Sequence, residues 1–394
     1  MERSPRYRID QGRASLPFSA SEYDLRIGGL RAIMDATGVE TTVLTSMHGI
    51  AYYSGFLRGL HAPPSALVVT ASEDVTISAG AGTNRRWPGG HGEDLCYDEA
   101  ERDGFWRAIL SVTRPGRVVG YEGDDLPDAH LDRLKAILDP AGLVDVAPAT
   151  ARQRMRRSVA EIALIRRVGK VADAGARAIR DAVKAGVRES DVAAAGRDAM
   201  ESETARSVPA AECQDSRVWF RSGPNTAAAR EPAGARKLQA GDILSLGVAP
   251  VIAGYCAALE RTMFLGEVDA ASLKIWQATV AAHELAMALP KPGIRLAEVA
   301  ATIDGFLEDR GLGQYRTGAP PGQDCRCEPA LDPGEYTDTM LEPGMVIAVT
   351  TGLTVPDGRP GAGGYRARDI LVITGNGNKQ ITKLPRGTEF NLIG

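Results

Sequence analysis

The sequence is poor in the features that mark several large classes of protein. Its five cysteines are an odd number and form no small disulfide framework. No run approaches the roughly 20 consecutive apolar residues of a membrane-spanning helix. The N-terminal stretch carries charges but no apolar segment of signal-peptide type. We therefore expect a cytoplasmic protein that does not engage a membrane.

Charge of either sign is also not in large excess. The formal net charge is −4, and no basic run alternates with aromatic residues, so the sequence gives no basis for nucleic-acid binding. With 44% hydrophobic and 24% charged residues, the composition is that of an ordinary globular protein. A chain of 394 residues is long enough for two domains, because single cores stop growing near about 250–300 residues.

The order of predicted elements favours a mixed α/β (α+β) protein of two domains. Helices and short strands alternate through residues 1–155, which indicates a compact N-terminal domain. A charged link, RQRMRR, is followed by Ser158 and Glu161, whose spacing is that of a helix capping box and opens a second domain over residues 156–394. Helices over 271–289 and 296–312 and strands over 345–351 and 365–373 are predicted within it.

One stretch of the second domain, residues 241–266, holds a single carboxylate among apolar residues. Two runs rich in Ile, Leu and Val flank Gly254 and Tyr255, which predicts a hairpin with that turn, buried on both faces. Glu260 lies near its end. A carboxylate buried there must be paired, neutral or chemically active, since an unpaired buried charge is costly. A structural ion pair with the adjacent Arg261 and a catalytic role are both open.

Motifs along the chain resemble those of creatinase and of the pita-bread family to which it belongs. They occur in the same order over nearly the whole chain: SMHGIAYYSGF (46–56), FRSGPNT (220–226), the hairpin at 241–266, LEPGMVIAV (341–349), PGAGGYRARDILVIT (360–374) and ITKLP (381–385). The resemblance implies a creatinase-like N-terminal α/β domain followed by a pita-bread domain. It also implies a homodimer whose pocket is shared across subunits.

The resemblance to metal-dependent members implies a metal site that this chain does not carry. Those enzymes resemble one another in two aspartates, one histidine and two glutamates as ligands of divalent ions. Matching the motifs places Gly247 and Ala258 at the aspartates and Thr350 and Arg368 at the glutamates, and no histidine follows His283. We expect neither a metal nor another cofactor.

Creatinase does without metal, but two of its catalytic positions also differ here. Its general acid/base histidine corresponds to Arg230, which stays protonated at any working pH and cannot exchange a proton as imidazole does. Of the two glutamates that grip the guanidinium, one is kept as Glu260 and the other corresponds to Thr350. We predict Glu260 and Arg230 as catalytic residues. The predicted substrate-binding residues are Arg368, Thr350, Tyr255, Cys256, Phe220, His61 and Glu231.

The largest departure from creatinase is the segment 317–338, which replaces a longer loop that contains histidine. Its prolines and glycines predict an irregular loop, and such loops reshape sites on a shared scaffold. Cys325 and Cys327 lie within it. Their spacing does not match a zinc knuckle, so inert loop cysteines are favoured over a redox pair.

Three functions are compatible with these residues. The first is a metal-independent enzyme that performs acid/base chemistry, such as C–N hydrolysis, elimination or cyclisation, on a small nitrogenous molecule of specialised metabolism. The second is a binding protein for peptides or other ligands, without catalysis. The third is an atypical creatinase. The first is preferred, because the substitutions cluster at the site while the surrounding scaffold is kept.

Overall fold

The computed structural model describes residues 3–4, 16–57, 62–80, 91–98, 100, 103–208, 216–228, 231–317 and 339–394. The chain divides between Arg154 and Met155 into two compact units. Within the described ranges, no helix combines the length and the apolar character needed to cross a bilayer.

The first unit is a seven-stranded mixed sheet with helices on both faces. Its strands, in the order β1-β5-β4-β3-β2-β6-β7, are β1 (Arg3–Ser4), β2 (Thr41–Leu44), β3 (Ala66–Thr70), β4 (Asp74–Ala79), β5 (Glu93–Tyr97), β6 (Val118–Tyr121) and β7 (Gly142–Asp145). Its helices are α1 (Ala20–Thr37), α2 (Met47–Ser54), α3 (Gly104–Val112), α4 (Asp128–Leu138) and α5 (Ala147–Met155), which runs through the boundary.

Strand β3 shows why this unit has three layers. Leu67 and Val69 pack with α1 and α2 on one face, whereas Ala66 and Val68 pack with α3 and α4 on the other. Successive strand residues point to opposite faces, so a strand covered on both sides is apolar throughout. The predicted N-terminal α/β architecture is confirmed.

The second unit is built around another seven-stranded sheet. Its main path is β13-β14-β12-β9-β8, with β15 on β14 and β16 on β12. The strands are β8 (Arg217–Ser222), β9 (Ile243–Ala249), β10 (Val251–Ile252), β11 (Tyr255–Cys256), β12 (Leu259–Leu265), β13 (Val346–Val355), β14 (Gly363–Thr374), β15 (Gly377–Gln380) and β16 (Leu392–Ile393), and the helices are α6 (Val159–Ala182), α7 (Glu189–Ser207), α8 (Ala270–Ala288), α9 (Leu296–Glu308) and α10 (Thr388–Asn391).

Two local features predicted for this unit are the capping box of α6 and the hairpin over 241–266. The Ser158 and Glu161 side chains form the predicted capping box at the start of α6. All residues of β9 and β12 are buried, as expected for a hairpin covered on both faces. Its turn lies one residue earlier than predicted, because Ile252 pairs with Tyr255 and leaves Ala253 and Gly254, both with positive φ, as the turn residues.

Side chains hold together the seam between β12 and β14, where the backbone ladder is short. Glu260 and Arg368 form the one recorded ladder pair between these strands. Beside it, the Arg261 guanidinium donates to the carbonyl oxygens of both Glu260 and Arg368, at 2.8 and 3.0 Å. The Thr262 hydroxyl accepts from the Arg366 backbone N–H at 2.7 Å. The backbone at Glu260 and Arg368 is therefore fixed by a side chain on the opposite face of the sheet.

Asp369 lies at the centre of that opposite face. Its fully buried carboxylate accepts from Arg261 at 2.9 Å and from Arg386 at 3.0 Å. Thr382 and Gln380 also donate to it, at 2.7 and 3.2 Å. Burial alone raises the pKa of the carboxyl, but the charge of Arg261 and hydrogen bonds from His283 and Arg261 outweigh it and hold the pKa below its ordinary range. Asp369 is therefore ionised and fully paired.

His283 of α8 completes the same network in its neutral form. Its Nε2 lies 3.0 Å from Asp369, and its Nδ1 lies 3.3 Å from the Thr351 hydroxyl. Burial lowers the pKa of His283 despite the hydrogen bond and charge of Asp369, and the charges of Arg261 and Arg386 lower it further. A neutral imidazole can donate from Nε2 and accept at Nδ1, which satisfies both contacts.

We expect the stability of the second unit to fall as the pH drops below about 6.5, the pKa of histidine in an unfolded chain. The pKa of His283 is lowered in the folded state, so its contribution to stability is complete above about pH 6.5. As the pH falls below that value, the unfolded state binds a proton at His283 that the folded state does not bind. The loss approaches about 1.4 kcal/mol per pH unit. Thermal unfolding of the wild type and His283→Gln from pH 7.5 to 5 measures it. An equally steep decline in the variant would contradict the assignment.

Asp369→Asn tests the network directly. The amide leaves Arg261 and Arg386 without a buried counter-charge, so we expect a loss of about 3–5 kcal/mol in the free energy of unfolding. Urea unfolding followed by circular dichroism measures it. Asp357→Asn, at an exposed position between β13 and β14, is the matched control and is expected to change stability by less than about 0.5 kcal/mol. Equal stability of the two variants would show that Asp369 does not hold the seam.

Candidate functional site

Five adjacent strands bring five residues into one row across the sheet. In order they are Thr350 on β13, Arg368 on β14, Glu260 on β12, Gly247 on β9 and Trp219 on β8, each directly opposite the next. Residues directly opposite in antiparallel pairs lie on the same face. This row, called the site row below, therefore gathers residues that are far apart in the sequence.

The centre of the site row is the pair formed by Glu260 and Arg368. Both are buried, at 0% and 4% exposure. Nη1 of Arg368 lies 4.0 Å from Oε1 of Glu260, which is an ion pair but too long for a hydrogen bond. The Arg368 Nε has no hydrogen-bond partner. The guanidinium therefore keeps hydrogen-bonding capacity that the protein does not use.

The alternative in which Glu260 pairs with the adjacent Arg261 is wrong. The Arg261 side chain lies on the opposite face, where it forms the ion pair with Asp369. Neighbouring residues of a strand point to opposite faces, so a carboxylate and a guanidinium in consecutive positions cannot face each other. On its own face, the Glu260 side chain pairs with Arg368, which comes from another strand.

The indole of Trp219 covers the position next to Glu260 in the site row. A Cβ added to Gly247 would lie 1.9 Å from Cε2, 2.1 Å from Nε1 and 2.2 Å from Cζ2 of Trp219. The same ring packs with Ala249, Cys256 and Ala258 in a small buried cluster. Gly247 is therefore required by close contact with the ring, and the edge that carries the indole N–H lies over this residue of β9.

The four residues that the resemblance places at the family's ligand positions do not fit a metal pair. Gly247 and Ala258 have no donor atoms, and the indole fills the space beside both. Arg368 brings a positive charge, which repels a cation. Elsewhere in the described ranges, no three His, Cys, Asp or Glu side chains are grouped to hold a metal ion.

Thr350 and Tyr255, both predicted to bind substrate, differ in their contacts. Thr350 is half-buried at the end of the site row, beside Arg368. Tyr255 is buried, and its hydroxyl donates to the Glu161 carboxylate at 2.9 Å, which Arg157 also contacts at 3.1 Å. The hydroxyl of Tyr255 is therefore committed to the start of α6.

Three further predicted residues are not brought to the site row as ligand groups. Cys256 is fully buried and disulfide-bonded, so it offers no thiol. Phe220 is fully buried and pairs with Leu246 and, through it, Arg261, which places it on the opposite face from Glu260. Glu231 is exposed and pairs with Arg221 at 3.0 Å.

The remaining predicted residues, Arg230 and His61, lie outside the described residues, as do Cys325, Cys327 and residues 318–338 of the predicted loop.

Trp219 is not among the predicted site residues, and the Asp369 network was not predicted. In the sequence Trp219 resembles an ordinary core aromatic residue. No nearby residue indicates that it pairs with Gly247, in the same row of the sheet as Arg368. One signal for the network was available. Glu260-Arg261 and Arg368-Asp369 are adjacent opposite charges on two strands, and alternation places one pair of unlike charges on each face.

Comparison with known proteins assigns the family. The chain belongs to metallopeptidase family M24, whose model matches residues 163–375, and a creatinase/prolidase N-terminal domain matches residues 26–156. It is 39% identical over 386 residues to a creatinase of Bacillus sp. (strain B-0618), covering 95% of this chain and 94% of that protein. It is 25% identical to an Xaa-Pro dipeptidase of Pyrococcus horikoshii, over 72% and 77% of the two chains.

Solved structures share the fold. The prolidase from Pyrococcus horikoshii OT3 superposes with a TM-score of 0.77 at 20% identity, covering 92% of this chain and 99% of that one. An Xaa-Pro dipeptidase from Bacillus anthracis also gives 0.77, at 22% identity, over 94% and 99%. The predicted pita-bread domain behind a creatinase-like N-terminal domain is confirmed.

Gly247→Ala tests the contact between Trp219 and the site row. The added methyl overlaps the indole, so we expect a loss of about 1–3 kcal/mol in the free energy of unfolding. Adding Trp219→Ala removes the overlap, and the double variant should be no less stable than Trp219→Ala alone. Gly375→Ala, where an added Cβ meets no atom within 4 Å, is the control. Additive losses in the double variant would contradict the contact.

Proposed function

We propose that this protein is a metal-independent, creatinase-like enzyme that uses Glu260 for acid/base chemistry on a small nitrogenous substrate of specialised metabolism. The observation that carries the proposal is the site row. It keeps one buried carboxylate on the scaffold of a hydrolase family, while the positions of the family's metal ligands hold a glycine, an alanine, a threonine and an arginine.

Within this proposal the two central residues have distinct roles. Glu260 takes a proton from the substrate and returns it to the leaving group or to a neighbouring atom, as C–N hydrolysis, elimination and cyclisation all require. Arg368, 4.0 Å away, stabilises negative charge that develops on the substrate. Arg230, which corresponds to the creatinase histidine, is proposed to orient the substrate by charge and hydrogen bonds, because it does not titrate in the working range.

The charges of the site row argue against creatine as the substrate. A guanidinium held by Glu260 would meet the guanidinium of Arg368, and Thr350 supplies no second carboxylate to offset that repulsion. A substrate that presents hydrogen-bond acceptors to Arg368 suits the site better. We also propose a homodimer with a pocket shared between subunits, by analogy with creatinase.

An atypical creatinase is the second candidate, and one observation favours it. The 39% identity to a named creatinase extends over 95% of the chain, and Glu260 is kept in the motif that resembles it. Urea release from creatine separates the candidates. Metal-stripped protein, with and without added Mn²⁺, is expected to release none under the proposal, whereas release without metal would establish the second candidate.

The role of Glu260 is tested by substrate consumption in a defined library. Wild-type protein is incubated with N-methylated, ureido and amidino acids in the presence of EDTA, and products are followed by mass spectrometry. We expect a compound to be consumed, and Glu260→Gln to lower the rate about 10²–10⁴-fold. Glu284→Gln, at an exposed position on α8, should leave the rate unchanged. A rate that depends on added Mn²⁺ would refute metal independence.

A binding protein without catalysis gives a different result in the same experiment. Ligands would raise the unfolding temperature of the wild type, as any ligand of the folded state does, but none would be consumed.

A further inference from the structure

Two buried N–H donors in the site row have no acceptor among the residues that the structure describes. Trp219 is 5% exposed and its Nε1 lacks a hydrogen-bond partner, and Arg368 is 4% exposed and its Nε lacks one. Buried donors are paired in the great majority of cases, because an unmet donor loses its bond to water without a replacement. Two unmet donors in one row of a candidate site therefore indicate a group that arrives with the ligand.

Both donors belong to the site row, where they lie on either side of Glu260. The indole edge that carries Nε1 lies directly over Gly247, which is the neighbour of Glu260 in the site row on the side away from Arg368. Trp219 and Arg368 thus approach Glu260 from opposite sides. The Ser245 hydroxyl, two residues from Gly247 on the same face, is also buried without a partner and can add a third donor.

The chemistry of the donors defines the group that they bind. An indole N–H and a guanidinium donate and cannot accept, so the ligand atoms facing them must be acceptors. A guanidinium binds a carboxylate with charge-assisted hydrogen bonds that are stronger than those to a neutral carbonyl. We propose that Trp219 and Arg368 bind a carboxylate of the substrate, and that Trp219 is a specificity-determining residue.

This inference rests on the proposed function only in taking the ligand to be a substrate, since the donors would bind a carboxylate ligand with or without catalysis. The proposed function leaves the chemical class of the substrate open, and the two donors favour a compound that carries a carboxylate. The carboxylate lies over the site row between Trp219 and Arg368, and the rest of the compound extends away from the sheet.

Nuclear magnetic resonance of the indole groups tests the inference on the full-length protein. The sequence has four tryptophans, so ¹⁵N labelling of tryptophan gives a small set of indole signals, and Trp219→Phe identifies the one from Trp219. Sodium acetate is the probe, with sodium chloride, acetamide and guanidinium chloride as comparisons. We expect acetate to cause a saturable downfield shift of the Trp219 indole proton.

Variants then assign the two donors. Trp219→Phe removes the N–H and keeps an aromatic ring, and it should weaken acetate binding, measured by calorimetry, about five- to tenfold. Arg368→Met should weaken it more than tenfold. Trp276→Phe is the matched control, because Trp276 packs edge-on against Phe264 in the core of the second unit. Unfolding curves of each variant verify that the fold is retained.

Several outcomes would overturn the inference. The first is the absence of any saturable shift with acetate, and the second is an equal shift with chloride. The third is a shift with guanidinium but not with acetate, which would show that the site row binds a cation. Glu260→Gln separates this inference from the proposed function. Acetate binding should persist in that variant, so catalysis and carboxylate binding can fail independently.

Discussion

The buried ion pair between Arg261 and Asp369 is the interaction on which the second unit depends. The strands that carry Glu260 and Arg368 share one recorded ladder pair, and Arg261 bridges the seam by donating to the carbonyl oxygens of both site residues. A charged bridge in the interior requires a counter-charge with all its lone pairs engaged. Asp369 supplies it, with Arg386, Thr382, Gln380 and His283 as its other partners.

The same two strands therefore carry structure on one face and the candidate site on the other. On the face with Asp369, the carboxylate is engaged by two guanidinium groups, two neutral donors and His283. On the face with Glu260, the central ion pair is long, and the donors of Arg368 and Trp219 are incompletely used. The network around Asp369 holds the candidate residues in place before a ligand arrives, and this reduces the ordering that binding must pay for.

Trp219 fills the space beside Gly247 and Ala258, the two small residues that the resemblance places at the family's aspartate positions. Packed interiors do not tolerate gaps without loss of stability. The indole occupies the space at Gly247 and packs on Ala258. The aromatic ring therefore fills the space that these two small residues leave, and its N–H keeps a polar group there.

The sequence by itself determined the class of fold and the family, because these follow from local periodicity, capping and the order of motifs. It also located the carboxylate of Glu260. Which residues face Glu260 was decided only by the tertiary structure. Strand register sets the face of every side chain, so Arg261 turned away, Arg368 and Trp219 turned inward, and Phe220 joined the opposite face. Register depends on contacts between separate strands, 28 positions apart for Trp219 and Gly247 and 108 positions apart for Glu260 and Arg368, which no local pattern encodes.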